Sequence, residues 1–154
     1  MRPVRTAARA LILQEGRLLC IRMQDKRGQF YILPGGGQQP GETLEQTLLR
    51  ECREEIAAVV RIEGLAYVRE YIGRNHNFSP THRQFHQVET VFRCTLLTHP
   101  EQLGQGHERD KKQVGFAWIP VDNLGRIDFL PRVIVPFFQD GGFHPPSRYL
   151  GDCN

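Results

Sequence analysis

Apolar and polar positions divide this chain into a series of strand-like segments interrupted by one strongly periodic helix. Residues 6–13 and 18–23 are rich in small and branched apolar side chains. Gln14-Glu15-Gly16-Arg17 separates them, so the two read as strands of one hairpin. Asp25-Lys26-Arg27-Gly28-Gln29 is a polar loop, and residues 30–33 form a short strand that runs into glycines. The period then changes. Leu44, Leu48, Cys52 and Ile56 recur every four positions with Leu49 beside them, the apolar stripe of an amphipathic helix over 44–57. Thr43 and Gln46 supply a Thr-x-x-Gln capping box at its start. Strands are expected at 59–72, bent at Gly64, then at 85–97 and 114–119, with loops at 73–82 and 98–112. A second helix is expected at 131–139, with Pro131 at a tolerated first position and Pro136 weakening its interior. Strands with two separated helices indicate an α/β fold, and 154 residues suit one domain spanning 1–154.

The polar face of the first helix is unusual. Glu51, Glu54 and Glu55 stand at i, i+3 and i+4, which puts three carboxylates on one side. A solvated acidic face is the plain alternative. Three neighbouring features favour a built site. Arg50 precedes the acids and can hold a carboxylate by a paired bond. Gly35-Gly36-Gly37 lets backbone approach a ligand closely. Glu42 lies just ahead of the helix, within reach of the same place. Glu51 and Glu55 fall at the edge of the apolar stripe, as a cleft wall requires. Clustered like charges call for a cation, and Mg²⁺ is commonly held by carboxylates together with substrate phosphates. The pattern points to metal-assisted chemistry on a phosphate compound.

Composition narrows the partners. The net charge of +3 is mild, and no basic run resembles a nucleic-acid tract, so a nucleotide-sized ligand is favoured over a polymer. Arg2, Arg5, Arg9, Lys26 and Arg27 are the candidate contacts to an anion. No apolar run approaches the about 18 residues of a membrane span, and the segment Met1-Arg2-Pro3-Val4-Arg5 lacks a signal peptide's apolar core. Cys20, Cys52, Cys94 and Cys153 have no Cys-x-x-Cys spacing, which fits reduced thiols and a cytoplasmic protein.

The segment from Gly36 to Ala58 resembles the Nudix box, the signature of the Nudix hydrolase superfamily. Gly36, Glu42, Arg50-Glu51, Glu54-Glu55 and Ile56 occupy the family's places. Leu33-Pro34-Gly35 is similar to the usual lead-in, and Trp118-Ile119-Pro120-Val121-Asp122-Asn123-Leu124 to the family's late strand and turn. One position departs: Ala57 stands where the family has glycine. That glycine serves a left-handed helix ending, which alanine would keep only at a cost of about 1 kcal/mol; a changed helix ending is expected, with no ligand removed and activity retained.

The resemblance implies an α/β/α sandwich around a mixed sheet. It also implies a Mg²⁺-dependent hydrolase, with Mn²⁺ as a substitute, cleaving the pyrophosphate of a nucleoside diphosphate linked to another group. On that reading Glu51, Glu54 and Glu55 hold metal, helped by the Gly35 carbonyl, and Arg50 orients a glutamate. Gly36, Gly37, Glu42, Arg9 and Tyr31 shape or contact the substrate site. The general base is a box glutamate or an acid from a later strand. Glu89 leads the latter, because a charge inside an apolar strand needs a partner; a solvent-facing Glu89, alternating with Gln87 and Arg93, is the competing reading. Glu108 and Asp110 are weaker candidates. His76, His82 and His86 lack zinc-motif spacing, and a substrate contact from His82 or His86 is preferred to a metal role. Tyr31, Tyr71, Phe78 and Phe85 are the aromatics that could stack on a base.

Three other functions fit the sequence less well. A nucleotide-sensing module without catalysis is disfavoured by the intact acids. An RNA 5′-end pyrophosphohydrolase would want a broader basic groove. Isoprenoid diphosphate isomerase chemistry would want an added cysteine and acid motif. Substrate choice is assigned to the loops 73–80 and 98–112. The resemblance also makes a homodimer an expectation.

Overall fold

The structure, a computed structural model, describes residues 2–76, 80–104 and 112–154. Phe78, Glu108 and Asp110 lie outside the described residues. The strands are β1 (Arg5–Leu11), β2 (Leu13–Gln14), β3 (Arg17–Asp25), β4 (Gly28–Ile32), β5 (Gly35–Gly37), β6 (Val60–Ile72), β7 (His86–Leu96), β8 (Gln113–Pro120), β9 (Phe138–Gln139), β10 (Gly142–Phe143) and β11 (Tyr149–Asp152), with helix α1 (Leu44–Ile56) between β5 and β6. Five strands make a mixed sheet in the order β11-β6-β7-β1-β5. β11 and β6 are parallel, as are β7 and β1, while β6–β7 and β1–β5 are antiparallel. A second sheet is built from β2, β3, β4 and β8.

The hairpin expected between 6–13 and 18–23 is much smaller than its apolar runs suggest. β1 joins the large sheet, and Leu13–Gln14 alone turns back onto β3. The alternation of β1 explains the split. Ala8, Ala10 and Ile12 enter one core with α1, while Leu11 enters a second core with Tyr67, Phe129 and Ile134. A strand buried on both faces belongs inside a sheet flanked by two layers, where apolar runs become nearly continuous.

α1 follows its sequence pattern. Thr43 caps it, and the capping box with Gln46 is closed in both directions. Leu48, Cys52 and Ile56 are fully buried, and burial of a leucine or isoleucine contributes about 1.5–3 kcal/mol each. Leu49 is a correction: it is exposed, because Thr47 and Glu55 occupy the buried flank instead. The helix ends on Ala57 at φ 54°, ψ 33°, whose amide donates back to the Arg53 and Cys52 carbonyls. The left-handed ending that glycine normally serves is therefore kept with alanine in it, which corrects the expectation of a changed ending.

The layer opposite α1 is not α-helical over 131–139. Residues Arg132–Phe137 form a 3₁₀ segment, with Pro136 inside it, and Phe138–Gln139 pass into a two-stranded ribbon. A proline interior removes the amide a longer helix would need. The strand at 59–72 is found as β6, with an irregular register at Gly64. The tail is tied down, with β11 adding to the edge of β6.

Candidate active site

The three glycines of β5 form one edge of the large sheet, and their lack of side chains organises a cleft of about 500 Å³. Gly36 faces α1. A Cβ placed there would sit 2.6 Å from the Glu51 carboxyl carbon. Gly35 and Gly37 face the other way, by the alternation of a strand. A Cβ on Gly37 would come within 2.5 Å of the Arg5 guanidinium, and one on Gly35 would collide with Arg9. Acids from the helix and arginines from β1 thus meet across bare backbone. Glu51, Glu54 and Glu55 line one wall, and Arg5, Arg9 and Arg69 line the floor beside Gln87 and Glu89.

Arg50 gathers the acidic wall. Its Nε donates to Glu42 at 2.5 Å, one Nη donates to Glu51 and Glu54 at 3.0 Å each, and the other reaches the Gly37 carbonyl at 3.0 Å. Glu42 also accepts from the Thr47 hydroxyl and the Gln39 amide. The Arg50 hydrogen bond is the leading cause that holds the Glu42 carboxyl down at about 2. Glu55 accepts from the Gly35 amide at 2.7 Å, fixing the glycine loop to the helix. Burial pushes the Glu51 carboxyl up, against the opposing pull of Arg50 and with added repulsion from Glu54. Among the described residues no three metal-ligating side chains converge as a ready set. Glu51 and Glu54 are each turned onto Arg50, and Glu55 onto the backbone.

The floor is a set of cross-strand rungs. Tyr71, Gln87 and Arg5 pair in register; Arg69, Glu89, Ala7 and Gly37 form the next rung. Glu89 is buried and accepts from Arg9 Nε at 3.0 Å, Arg69 Nε at 3.1 Å and Gln87 Nε2 at 3.2 Å. Burial alone would raise its pKa, but the charges and hydrogen bonds of Arg69 and Arg9 outweigh it and hold the group at about 2. Glu89 therefore does not face solvent. Its partners are two guanidiniums, and a carboxylate held that low is a poor proton acceptor near neutral pH. Glu89 is on that ground a weaker candidate for the general base than the box glutamates. Arg9 is likewise committed: besides Glu89 it donates to the Leu33 and Gly35 carbonyls. It remains on the cleft surface, but as part of the floor.

The far end of the cleft is aromatic. Tyr71, His82 and Phe85 line it, with Phe30, Ile32 and Met23 from the second sheet. Tyr71 lies nearly parallel to the His76 ring at 5.2 Å between centroids, and His82 meets it edge-on. Tyr31 is not there. It bridges to Phe129 and packs against the second core, one residue out of phase with Phe30 and Ile32. That corrects its assignment as a substrate contact.

A protein-family model described as the NUDIX domain matches residues 3–139. The chain belongs to the Nudix family. The nucleoside triphosphatase NudI of Enterobacter sp. (strain 638) is 27% identical over 142 residues, covering 89% of this chain and 96% of that protein. NudI of Escherichia coli O1:K1 / APEC is 46% identical over a shorter stretch of 55 residues, 34% of this chain and 39% of that one. Among solved structures, a NUDIX hydrolase from Nitrosomonas europaea superposes with a TM-score of 0.69 at 17% identity, covering 87% of this chain and 85% of its own. The MutT protein of Methanosarcina mazei Go1 gives 0.65 at 21% identity, covering 91% and 94%. These structural likenesses establish the fold. Family and relatives together make the chain a pyrophosphohydrolase by class.

Within this Nudix domain, the structure brings Glu51, Glu54, Glu55, Gly35, Gly36, Gly37 and Arg9 to one cleft. Glu42 and Arg50 stand behind the acids as their support. The sequence reading missed Arg69 and Gln87. Arg69 was legible in principle: it interrupts the buried phase of β6 between Tyr67 and Tyr71, the same signal that singled out Glu89. No described helix is long and apolar enough to cross a membrane.

Proposed function

We propose that this Nudix domain hydrolyses the phosphoanhydride of a nucleoside triphosphate or related nucleoside diphosphate derivative, with Mg²⁺ held by Glu51, Glu54, Glu55 and the Gly35 carbonyl. One observation carries the reading: a wall of three glutamates faces a basic floor across a bare glycine edge, with an aromatic end alongside. The names of the NudI relatives support a triphosphate substrate.

The residues fit a hard cation. All the donors are oxygens, and the Glu51 carboxyl occupies the space that a side chain on Gly36 would fill. Burial works against the charge on Glu51, so a cation in front of it relieves a cost already present. When bound, such an ion polarises phosphoryl oxygens and lowers the pKa of its water. The chain's own residues supply the rest. Arg50 keeps Glu51 and Glu54 pointed at the cleft, and Glu42 keeps Arg50 in place. The base that receives the attacking water's proton is drawn from the box glutamates. Arg69, Arg9 and Glu89 form a rigid, cationic floor beneath the phosphates. Tyr71, Phe85 and His82 offer ring faces and edges to the base of the nucleotide.

The test is a panel of nucleoside triphosphates and nucleoside diphosphate derivatives, incubated with and without Mg²⁺, alongside Glu55→Gln. Metal-dependent release of pyrophosphate or phosphate that the variant loses supports the reading. Equal binding of a nucleotide by both proteins, with no product from either, would replace it with the sensing module.

A further inference from the structure

Four arginine side chains bear on the cleft, and three of them are spoken for. Arg50 serves three glutamates and a carbonyl, Arg69 is bound to Glu89 and the Cys153 carbonyl, and Arg9 to Glu89 and two carbonyls. Arg5 differs. It is an exposed residue with no carboxylate or carbonyl partner among the described residues, yet its guanidinium packs against backbone. It lies in the slot over Gly37, where an added Cβ would be 2.5 Å from Nη2, 2.8 Å from Nε and 3.0 Å from Cζ. It borders the same cleft as Glu51 and Glu54. Its backbone is fixed by pairing with Gln87, at the start of β1.

We propose that Arg5 is a phosphate ligand of this cleft: its guanidinium receives oxygens of the substrate's polyphosphate chain on the floor side, opposite the glutamate wall. The proposal rests on the hydrolase reading for its substrate, but not for its chemistry. A guanidinium presents parallel N–H donors in a fork that matches two oxygens of a phosphate. The other floor arginines cannot turn toward a ligand without abandoning a buried carboxylate. Arg5 can, at no such cost. Its slot exists because Gly37 has no side chain, and its position places positive charge beside the acids that a cation would neutralise. A polyphosphate chain would then be held from both sides.

Two measurements separate this from the hydrolase reading itself. The first is binding of inorganic tripolyphosphate by calorimetry, without catalysis, to the wild type, Arg5→Gln, Arg5→Lys and Arg17→Gln. Arg17 is exposed, as Arg5 is, but does not line the cleft, so it controls for net charge. Charge-assisted hydrogen bonds are worth enough that Arg5→Gln should weaken binding about tenfold or more. Arg5→Lys should recover part of the loss, and Arg17→Gln should change it less than about twofold. The second is steady-state hydrolysis on whichever panel nucleotide is cleaved. A ground-state phosphate contact raises KM and leaves kcat nearly unchanged. Equal binding by wild type and Arg5→Gln, or an equal loss in Arg17→Gln, overturns the proposal while leaving hydrolysis intact. Arg5-dependent binding with no hydrolysis of any nucleotide keeps the phosphate site and sinks the hydrolase reading. Melting temperatures of all four proteins, expected to agree closely, exclude misfolding as the cause.

Discussion

Replacing Glu89 by glutamine keeps the shape of the side chain and removes its charge, so the variant isolates what that carboxylate does. In the wild type it is 1% exposed and holds Arg69 and Arg9, whose side chains are 9% and 17% exposed. Glutamine leaves both guanidiniums without a counter-charge and turns an amide N–H₂ toward donors. Removing one partner of a buried pair costs about 3–5 kcal/mol, because the remaining charge stays buried. Linkage gives a similar figure. A carboxyl moved from 4.5 to about 2 by its folded surroundings contributes about 3 kcal/mol at neutral pH. Against a typical domain stability of about 5–15 kcal/mol that is a large fraction. It corresponds to a drop in Tm of roughly 10 °C for a chain of this size.

The sign of the pH dependence makes the test sharper. The folded pKa lies below the unfolded one, so the contribution is complete above about pH 4.5 and disappears as the pH falls toward 2. Urea denaturation of wild type and Glu89→Gln should therefore show a constant gap between pH 5 and 8, and a gap that narrows in acid by up to about 1.4 kcal/mol per pH unit. The acidic limb of kcat/KM should stay where it is, since a group titrating near 2 contributes no limb above pH 4. Two results refute the reasoning. A gap below about 1 kcal/mol at pH 7 would mean that the ion cluster is not held as described. A fully stable variant that has lost its acidic limb would give Glu89 the role of general base.

Further outcomes follow from single residues. Ala57→Gly relieves the left-handed φ of 54° and should raise stability by about 0.5–1 kcal/mol after the extra chain entropy of glycine, read by urea denaturation. Glu51→Gln should lower kcat about a hundredfold or more while not lowering Tm, because burial and Glu54 already work against its charge; a destabilised variant would contradict that. Arg50→Lys keeps the charge but cannot bond Glu42, Glu51, Glu54 and the Gly37 carbonyl together, so both Tm and kcat should fall, with Tm down by several degrees. Phe85→Ala should raise KM for a nucleotide several-fold more than for tripolyphosphate inhibition, measured as competing constants, because the polyphosphate has no base to meet the ring.

How far the sequence could be read depended on whether a signal was local. α1 was legible almost to the residue, since its stripe, its capping box and its acid spacing all lie within one window, and only Leu49 fell on the wrong side. The ending at Ala57 was misread: a changed terminus was expected from the missing glycine, whereas two backbone hydrogen bonds hold alanine in the left-handed conformation. The segment after Pro131 was misread too: its apolar spacing permits a helix, and the choice of 3₁₀ turns reflects Pro136 and the packing of Ile134 into the second core. β1 and β3 were correctly seen as strands, but their hairpin holds only next to the turn, at Leu13–Gln14, because alternation reports which face is buried and not which neighbour buries it.

Glu89 shows the same boundary inside the site. Its position on the buried phase of β7 demands a partner, and that much is physics available from the sequence. The identity of the partner is not, because Arg9 lies 80 positions away and Arg69 lies 20 away. A metal and a pair of arginines satisfy the demand equally well on paper. Once the rungs of the sheet set Arg69 beside Glu89, the arginines supply the partner that the buried charge demands. The glycines carry the complementary lesson. Their sequence signal was room for a ligand, yet much of that room is taken by Glu51 on one side and by Arg5 and Arg9 on the other. Gly36 and Gly37 thus act first by letting opposite charges approach each other across a strand edge. The prediction peculiar to this arrangement is that alanine at Gly37 should weaken tripolyphosphate binding by displacing the Arg5 guanidinium, even though no charge is lost.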